Sequence, residues 1–376
     1  MTFSPKTIGL IKGGQLALML IEAGIPLGLH FHVLDNDPEA PCRPYCSAFT
    51  LGDAQDADTV FAFGQAVDAV VLEFEHVSVA GLQRLESAGI PVFPTAAVLA
   101  MVQDKGLQKQ FYVQENIPTA PFVLVDTPEA LAQQTDFFPG VIKTRRAGYD
   151  GNGVAVLKDA QDLPAHFSGP LLLEKKIDFD KEISVIIARS AAGEMAVYPV
   201  IEWQTHEHKD LVDLLFAPAN ISSKTAQEAV EIAKKIVTVL DYVGLLAVEM
   251  FVVKDRVLVN EMSPRPHNSG HHTIEANLTS QYQQLLRCVL GMPLGATEAR
   301  SAAALFNVLG EPGFEGPAQW EGVDKCMALP TAFVHSYGKT HTKPLRKMGH
   351  VTVIAPTVSE ALAQLATIKE KVRVIS

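Results

Sequence analysis

The chain has 376 residues, 19% of them charged and 48% apolar, with a formal charge of −11. That length builds a large core divided among two or three domains, and the acidic balance excludes an extended nucleic-acid surface while permitting a local basic pocket. No apolar run reaches membrane-spanning length, Met1–Lys6 is no secretory signal, and the spacing of Cys42, Cys46, Cys288 and Cys326 fits neither disulfides nor a metal site. A cytoplasmic protein with reduced thiols and no membrane partner is expected.

Residues 7–11 read as a buried strand, and Lys12-Gly13-Gly14-Gln15 turns it into an apolar helix ending near Ala23. A strand, a glycine turn and a helix N-terminus offer converging N–H groups to an anion. Further strands are expected at 32–35, 68–74 and 91–93, with helices at 56–65, 78–88 and 95–102. This alternation predicts a doubly wound parallel sheet. Gly9, Gly13 and Gly14 do not supply G-x-G-x-x-G, which argues against a nicotinamide domain. Glu73 and Glu75 follow the third strand at its carboxyl end, where open α/β sheets place ligands, although loop-end charges of this kind also serve only to solvate a surface.

A helix is expected over 103–116, and strand content rises beyond Pro118. The strand Val141–Lys143 enters Thr-Arg-Arg-Ala-Gly-Tyr-Asp-Gly-Asn-Gly, whose Asp150-Gly151 and Asn152-Gly153 pairs are hairpin signals. Lys143, Arg145 and Arg146 stand beside glycines that let backbone N–H groups approach an anion, the chemistry of a hairpin closing over nucleotide phosphates. Leu171–Glu174 ends in Glu-Lys-Lys-Ile, a strand edge suited to a nucleotide base, and Glu182 opens the next strand within reach of ribose hydroxyls. A strand over 195–201 is followed by a polar loop with His206 and His208, an H-x-H pair with no evident third zinc ligand. A helix spans 224–242, with Ala229, Ile232, Ala233, Ile236, Val237 and Leu240 inward.

Two β-branched runs then flank Lys254-Asp255-Arg256, predicting a hairpin with that three-residue turn. Glu249 and Glu261 face each other across it, with Cβ atoms roughly 5 Å apart. Two carboxylates so close require a cation or proton between them, and hard oxygen ligands beside Asn260 suit Mg²⁺ carrying nucleotide phosphates. The flanking residues are too apolar for the alternative, a solvated hairpin with outward glutamates. His267, His271 and His272 have zinc-helix spacing, but Pro264, Pro266 and Gly270 oppose a helix. The Arg-Pro-His-Asn-Ser-Gly loop offers donors for a phosphorylated or polyhydroxylated substrate instead. A helix over 275–290 follows, then strands at 305–309, 332–335 and 350–354 and a helix at 359–371. Lys339, Lys343, Arg346 and Lys347 lie between the last two strands. Such a run also occurs as a solvated basic loop, but four cations within nine residues of an acidic chain suggest a phosphate-monoester clamp.

The order Gly-Gly-Gln-Leu, Glu-Phe-Glu-His-Val, Gln-Asp-Lys, Ala-Gly-Tyr-Asp-Gly-Asn-Gly, Val-Asn-Glu-Met-Ser-Pro-Arg-Pro-His-Asn-Ser-Gly-His and Arg-Lys-Met-Gly-His-Val resembles the 5-(carboxyamino)imidazole ribonucleotide synthase (PurK) family of ATP-grasp enzymes over nearly the whole chain. The resemblance implies a mixed α/β and α+β protein: an N-terminal doubly wound preATP-grasp domain (1–100), an ATP-grasp domain (101–292) and a small β-rich C-terminal domain (293–376). It implies a homodimer that uses ATP, bicarbonate and 5-aminoimidazole ribonucleotide, with Mg²⁺, or Mn²⁺ in its place, as cofactor. By matching motifs, ATP would meet Lys105, Lys143, Gly148, Tyr149, Asp150, Gly151, Asn152, Gly153, Glu174, Lys175, Lys176, Ile177, Glu182, His206, Asn260 and Glu261. Glu249 and Glu261 would bind the metal. Gln15, Leu16, Glu73, Tyr149, Asp150, Arg265, His267, Asn268 and Ser269 would meet the ribonucleotide or bicarbonate, and Lys339, Arg346 and Lys347 its 5′-phosphate. Arg265, Asp150 and Lys143 would be catalytic.

Overall fold

In the computed structural model, which describes residues 4–146, 153–206 and 209–376, the first hundred residues form a parallel sheet. Its strands are β1 (Thr7–Ile11), β2 (His30–Asp35), β3 (Ala48–Leu51), β4 (Ala69–Leu72) and β5 (Val92–Phe93), in the order 3-2-1-4-5. Helices α1 (Gln15–Gly24), α2 (Ala57–Gly64), α3 (Val79–Ser87) and α4 (Ala96–Val102) connect or follow the strands. β1 and β4 are almost wholly buried, as strands covered on both faces must be. Asp56, Ser78 and Thr95 cap the starts of α2, α3 and α4 by accepting from backbone N–H groups. Strand order reverses between β1 and β4, which opens a crevice at their carboxyl ends. β3 was not expected: it is a largely exposed edge strand with no apolar alternation to announce it.

Helix α5 (Lys105–Gln114) leads into a second, antiparallel sheet of β6 (Phe122–Val125), β7 (Gly140–Thr144), β8 (Val154–Leu157) and β9 (Leu171–Lys175), in the order 6-9-7-8. This sheet has its own small core around Val125, Ile142, Leu171 and Leu173. β10 (Lys181–Arg189), β11 (Met195–Val197), β12 (Ile201–His206) and β13 (Lys209–Ala217) begin a third sheet. The expected strand over 195–201 is therefore two strands, and His206 closes β12 and not a polar loop. Helix α6 (Ser223–Val239) buries Ala229, Ile232, Ala233, Ile236 and Val237 under this sheet, as its periodicity predicts. The hairpin β14 (Gly244–Val253) and β15 (Arg256–Ser263) completes the edge.

That hairpin differs from the expected one in two places that offset each other. The turn has two residues, Lys254 and Asp255, at φ 50° and 64°, and the ladder closes with Val253 opposite Arg256. Left-handed residues at both turn positions match the twist of the strands. A bulge then falls at Asn260, between the pairs Met250–Val259 and Glu249–Glu261. The extra residue restores the expected opposition of the two glutamates.

The expected helix over 275–290 is α7 (Thr273–Ala276) and α8 (Gln281–Val289), divided where Ser280 and Gln283 form a capping box. Beyond it lie β16 (Ala302–Leu309), β17 (Gly316–Pro317), β18 (Gln319–Glu321), α9 (Val323–Met327), β19 (Ala332–Ser336), β20 (His341–Thr342), β21 (Lys347–Ala355), α10 (Val358–Lys369) and β22 (Arg373–Ile375). β16, β21 and β19 continue the third sheet, whose order is 15-14-10-12-13-16-21-19 with β11 on β10. The last segment, β-rich as expected, extends the third sheet and adds two short ribbons, β17–β20 and β18–β22. Among the described residues no helix is long and apolar enough to cross a membrane.

Candidate active site

Glu249 and Glu261 lie directly opposite on β14 and β15, and each already has a counter-group. Lys105, the first residue of α5, pairs with Glu261 Oε2. Its positive charge, stronger than the effect of burial, holds the Glu261 carboxyl down to about 2. His267 Nε2 lies 3.0 Å from Glu249 Oε1. His267 Nδ1 accepts from the Ser269 N–H at 3.3 Å, which leaves the Nε2 proton for Glu249. Ser269 Oγ also bonds Ser184 Oγ at 3.0 Å, and Gln281 clamps His267 by bonding both its N–H and its C=O. Gln281, fully buried on α8, was not singled out in the sequence, because fourteen residues separate it from the loop it fixes.

A second charge cluster adjoins this pair. Lys143, 7% exposed on β7, reaches Glu174 Oε2 at 2.6 Å and Asn260 Oδ1 at 2.9 Å. The bulge in β15 is what presents Asn260 there. Glu174, expected among the nucleotide contacts, is buried, and its other oxygen pairs with Lys109 of α5, so its carboxylate is shared between two lysines. Burial works against the charged carboxylate, but the two ammonium groups hold its pKa below the usual range. Arg145 and Arg146 also differ from expectation. Arg145 forms a bidentate pair with buried Asp104 at 2.9 and 2.7 Å, and Arg146 Nε lies 3.3 Å from the same group. Asp104 caps α5 as well, so these arginines fix the helix that carries Lys105 and Lys109.

In the glycine turn after β1, three of the N–H groups expected to face an anion bond the chain's own carboxylates. Glu73 accepts from Gly14 N at 2.9 Å and from Leu16 N at 3.1 Å, and Asp35 Oδ2 accepts from Gly13 N at 2.6 Å. The chain's own carboxylates occupy the positive end of α1. Burial pushes the Glu73 carboxyl upward against those N–H bonds. Gln15 begins α1, while the Leu16 side chain packs in the core and contributes only its N–H. Arg265 Nε lies 2.8 Å from Glu75 Oε1, and its charge also acts on Glu73, so the crevice of the first sheet meets the loop after β15 through this arginine.

Lys12 sits in this turn at φ 73° and bonds Asp35 Oδ1 at 2.7 Å and Asn36 Oδ1 at 2.5 Å. The left-handed conformation disfavours any side chain relative to glycine by about 1 kcal/mol. Lys12→Ala removes the ion pair and keeps that cost, whereas Lys12→Gly removes both. We expect Lys12→Gly to be more stable than Lys12→Ala by about 1 kcal/mol in urea unfolding, and equal midpoints would contradict the backbone argument.

Asn268 follows His267 with both amide atoms shielded from solvent and no protein partner among the described residues. A buried amide left unpaired is costly and marks a place for a polar ligand. His271 and His272 are fully turned inward. His271 stacks on His350 at 4.7 Å, and His350 on His335 at 4.4 Å, packing the last sheet strands against this loop. Burial, then the neighbouring charges of His267, His335 and Lys347 among others, pushes the His271 pKa well down. In the basic loop, Lys339 Nζ bonds Lys347 O at 2.7 Å, Arg346 Nη1 bonds His341 O at 2.7 Å, and Thr340 Oγ1 bonds Glu39 Oε2 at 2.8 Å. The loop therefore leans on the first sheet's β2–β3 connection.

The remaining candidates lie around β9 and β10. The Lys175 and Lys176 N–H groups bond Pro121 and Pro139 carbonyls, and their side chains are exposed. Ile177 is half-buried, and Glu182 lies between Trp203 and Phe251 in register. Gly153, at φ 77°, accepts from Thr144 N at 2.8 Å. Gly148, Tyr149, Asp150, Gly151 and Asn152 lie outside the described residues, as do His208 and the side chain of His206.

Three family descriptions match consecutive stretches: a ribonucleotide synthetase preATP-grasp domain over residues 5–103, an ATP-grasp domain over 110–282, and a phosphoribosylaminoimidazole carboxylase C-terminal domain over 303–364. The N5-carboxyaminoimidazole ribonucleotide synthase of Synechococcus elongatus is 37% identical over 354 residues, covering 92% of this chain and 89% of the relative. The chain belongs to the N5-carboxyaminoimidazole ribonucleotide synthase family. The crystal structure of the synthetase of this name from Thermotoga maritima superposes with a TM-score of 0.90 at 36% identity, covering 99% of both chains. A synthase of the family from Aspergillus clavatus, in complex with ADP and 5-aminoimidazole ribonucleotide, has a TM-score of 0.87 at 29% identity over 97% of this chain and 98% of that one. As a member of this synthase family, the chain is an ATP-grasp ligase.

Proposed function

We propose that the protein carboxylates 5-aminoimidazole ribonucleotide with bicarbonate at the expense of ATP. Bicarbonate oxygen attacks the γ-phosphorus, giving carboxyphosphate and ADP. The exocyclic amine of the ribonucleotide then attacks the carboxyl carbon, directly or after release of CO₂, and phosphate leaves. The observation that carries this reading is the facing pair Glu249 and Glu261, with Lys105 and Lys143 on one side and the Arg265–Ser269 loop on the other. Phosphoryl transfer asks little covalent chemistry of a protein and depends on positioning and charge neutralisation.

Lys105 and Lys143 would meet the nucleotide phosphates, with the segment that leaves β9 at Lys175–Ile177 and Glu182 holding the base and ribose. Glu249 and Glu261 would hold Mg²⁺. The donor set fits: two hard carboxylates facing each other beside Asn260 suit an ion that keeps positions for phosphate and water. Bound there, it would neutralise phosphate charge. Arg265 would hold the bicarbonate-derived anion, with Asn268 bonding the ribonucleotide through its unpaired amide. Asp150 is assigned on the family resemblance alone. Phosphate release, measured with ATP, bicarbonate and the ribonucleotide omitted in turn, tests the reading. Turnover that survives the loss of bicarbonate would favour a different acyl donor.

Arg346 and Lys347 would serve the ribonucleotide's 5′-phosphate. Replacing both with alanine is expected to raise the Michaelis constant for the ribonucleotide at least about tenfold, since each charged phosphate contact contributes roughly 1.5–3 kcal/mol. The constant for ATP should stay within about twofold. A larger effect on ATP would put the clamp on the wrong ligand.

A further inference from the structure

Lys109 appears in none of the roles above, yet it is 3% exposed and lies at the centre of the charged cluster. Its ammonium pairs with Glu174 and donates to Thr119 Oγ1 at 2.6 Å; Thr119 donates in turn to Val259 O at 2.7 Å. One side chain thus ties α5 to β9 of the small sheet and to β15 of the large one, next to Asn260. Lys143 holds the other Glu174 oxygen. A buried carboxylate needs one ammonium to be neutralised, and this one has two.

The reason emerges from the wider cluster. Lys105, Lys109 and Lys143 face Glu174, Glu249 and Glu261, three cations against three anions. Without Lys109 these six charges become net negative, and Lys143 is left as the only ion-pair partner of Glu174 among the described residues. Both changes oppose a polyanion, and low dielectric strengthens them.

We propose that Lys109 is a positioning residue for the nucleotide: by sharing Glu174, it leaves the charge of Lys143 available to ATP. The inference rests on reading Lys143 as a phosphate ligand. Burial lowers the Lys109 pKa to about 8 against the pull of Glu174, so the ammonium form predominates at neutral pH.

The test is MgATP affinity by titration calorimetry for Lys109→Met, Lys109→Met with Glu174→Gln, and Lys143→Met, each beside wild type. Lys109→Met is expected to weaken MgATP binding about tenfold while the ribonucleotide's Michaelis constant stays within about twofold. Adding Glu174→Gln restores the charge balance and should return affinity to within about threefold of wild type. A lysine needed only for packing would give a double variant at least as weak as the single one, and that result overturns the proposal. So does wild-type affinity in Lys109→Met. If Lys109→Met does not fold, the double variant decides alone, with tenfold or greater weakening counting against the proposal. Normal MgATP binding by Lys143→Met would instead remove the nucleotide reading of that lysine, and this inference with it.

Discussion

Glu261→Gln is expected to reduce ribonucleotide-stimulated phosphate release by on the order of 100-fold or more, in a chain that still folds but with a lower thermal midpoint, because Lys105 loses its counter-charge. The side chain keeps its size and still accepts from Lys105, so packing on β15 survives. What disappears is a fixed negative charge facing Glu249, in a position that would hold the metal against the nucleotide. Raising Mg²⁺ tenfold should recover only part of the loss, because glutamine replaces one hard anionic donor with a neutral one. Near-normal turnover at saturating Mg²⁺ would remove Glu261 from the metal site and leave it as a counter-ion for Lys105.

Arg265→Lys is the second substitution with a large expected effect. Arg265 joins Glu75 at 2.8 Å, bonds Pro266 O at 3.0 Å and influences Glu73. Lysine keeps the charge but not the planar fork, so it cannot hold Glu75 and orient a planar carboxyl anion at once. The turnover number should fall on the order of 100-fold, with the Michaelis constant for ATP changed by less than about threefold. Arg265→Ala should additionally cost about 1–3 kcal/mol of stability, since Glu73 and Glu75 lose their shared cation in a half-buried crevice. Equal turnover in Arg265→Lys and wild type would show that charge alone is required, and that the fork has no part in orienting the anion.

The facing glutamates were legible because alternation along two β-branched runs fixes which residues share a face. The turn was not: Lys-Asp-Arg carries no glycine to mark two left-handed positions, and a bulge at Asn260 has no sequence signature. The strand–glycine–helix pattern was read correctly as a sharp turn into α1. Its N–H groups were assigned to a ligand because nothing local reveals that Asp35 and Glu73, from two other strands, reach them first. The same limit hid Lys109 and Gln281. Each sits on an amphipathic helix as an ordinary polar residue, and its partner lies far along the chain. Arg145 and Arg146 looked like phosphate ligands for the converse reason, since their partner Asp104 is an N-cap on another element. Local pattern reveals elements and faces, whereas ownership of a hydrogen bond depends on what folds back upon it.

The continuous third sheet changes what it would mean to shorten this chain. Were it to stop before β16, the outer side of β13 would become an open edge, with the apolar Leu215 and Phe216 newly uncovered where Leu305 and Ala304 now pair with them. Exposed ladders of that kind recruit strands from other molecules. The final segment therefore also acts as a seal against edge-to-edge pairing, a task that falls to β16, ahead of the basic loop in the chain.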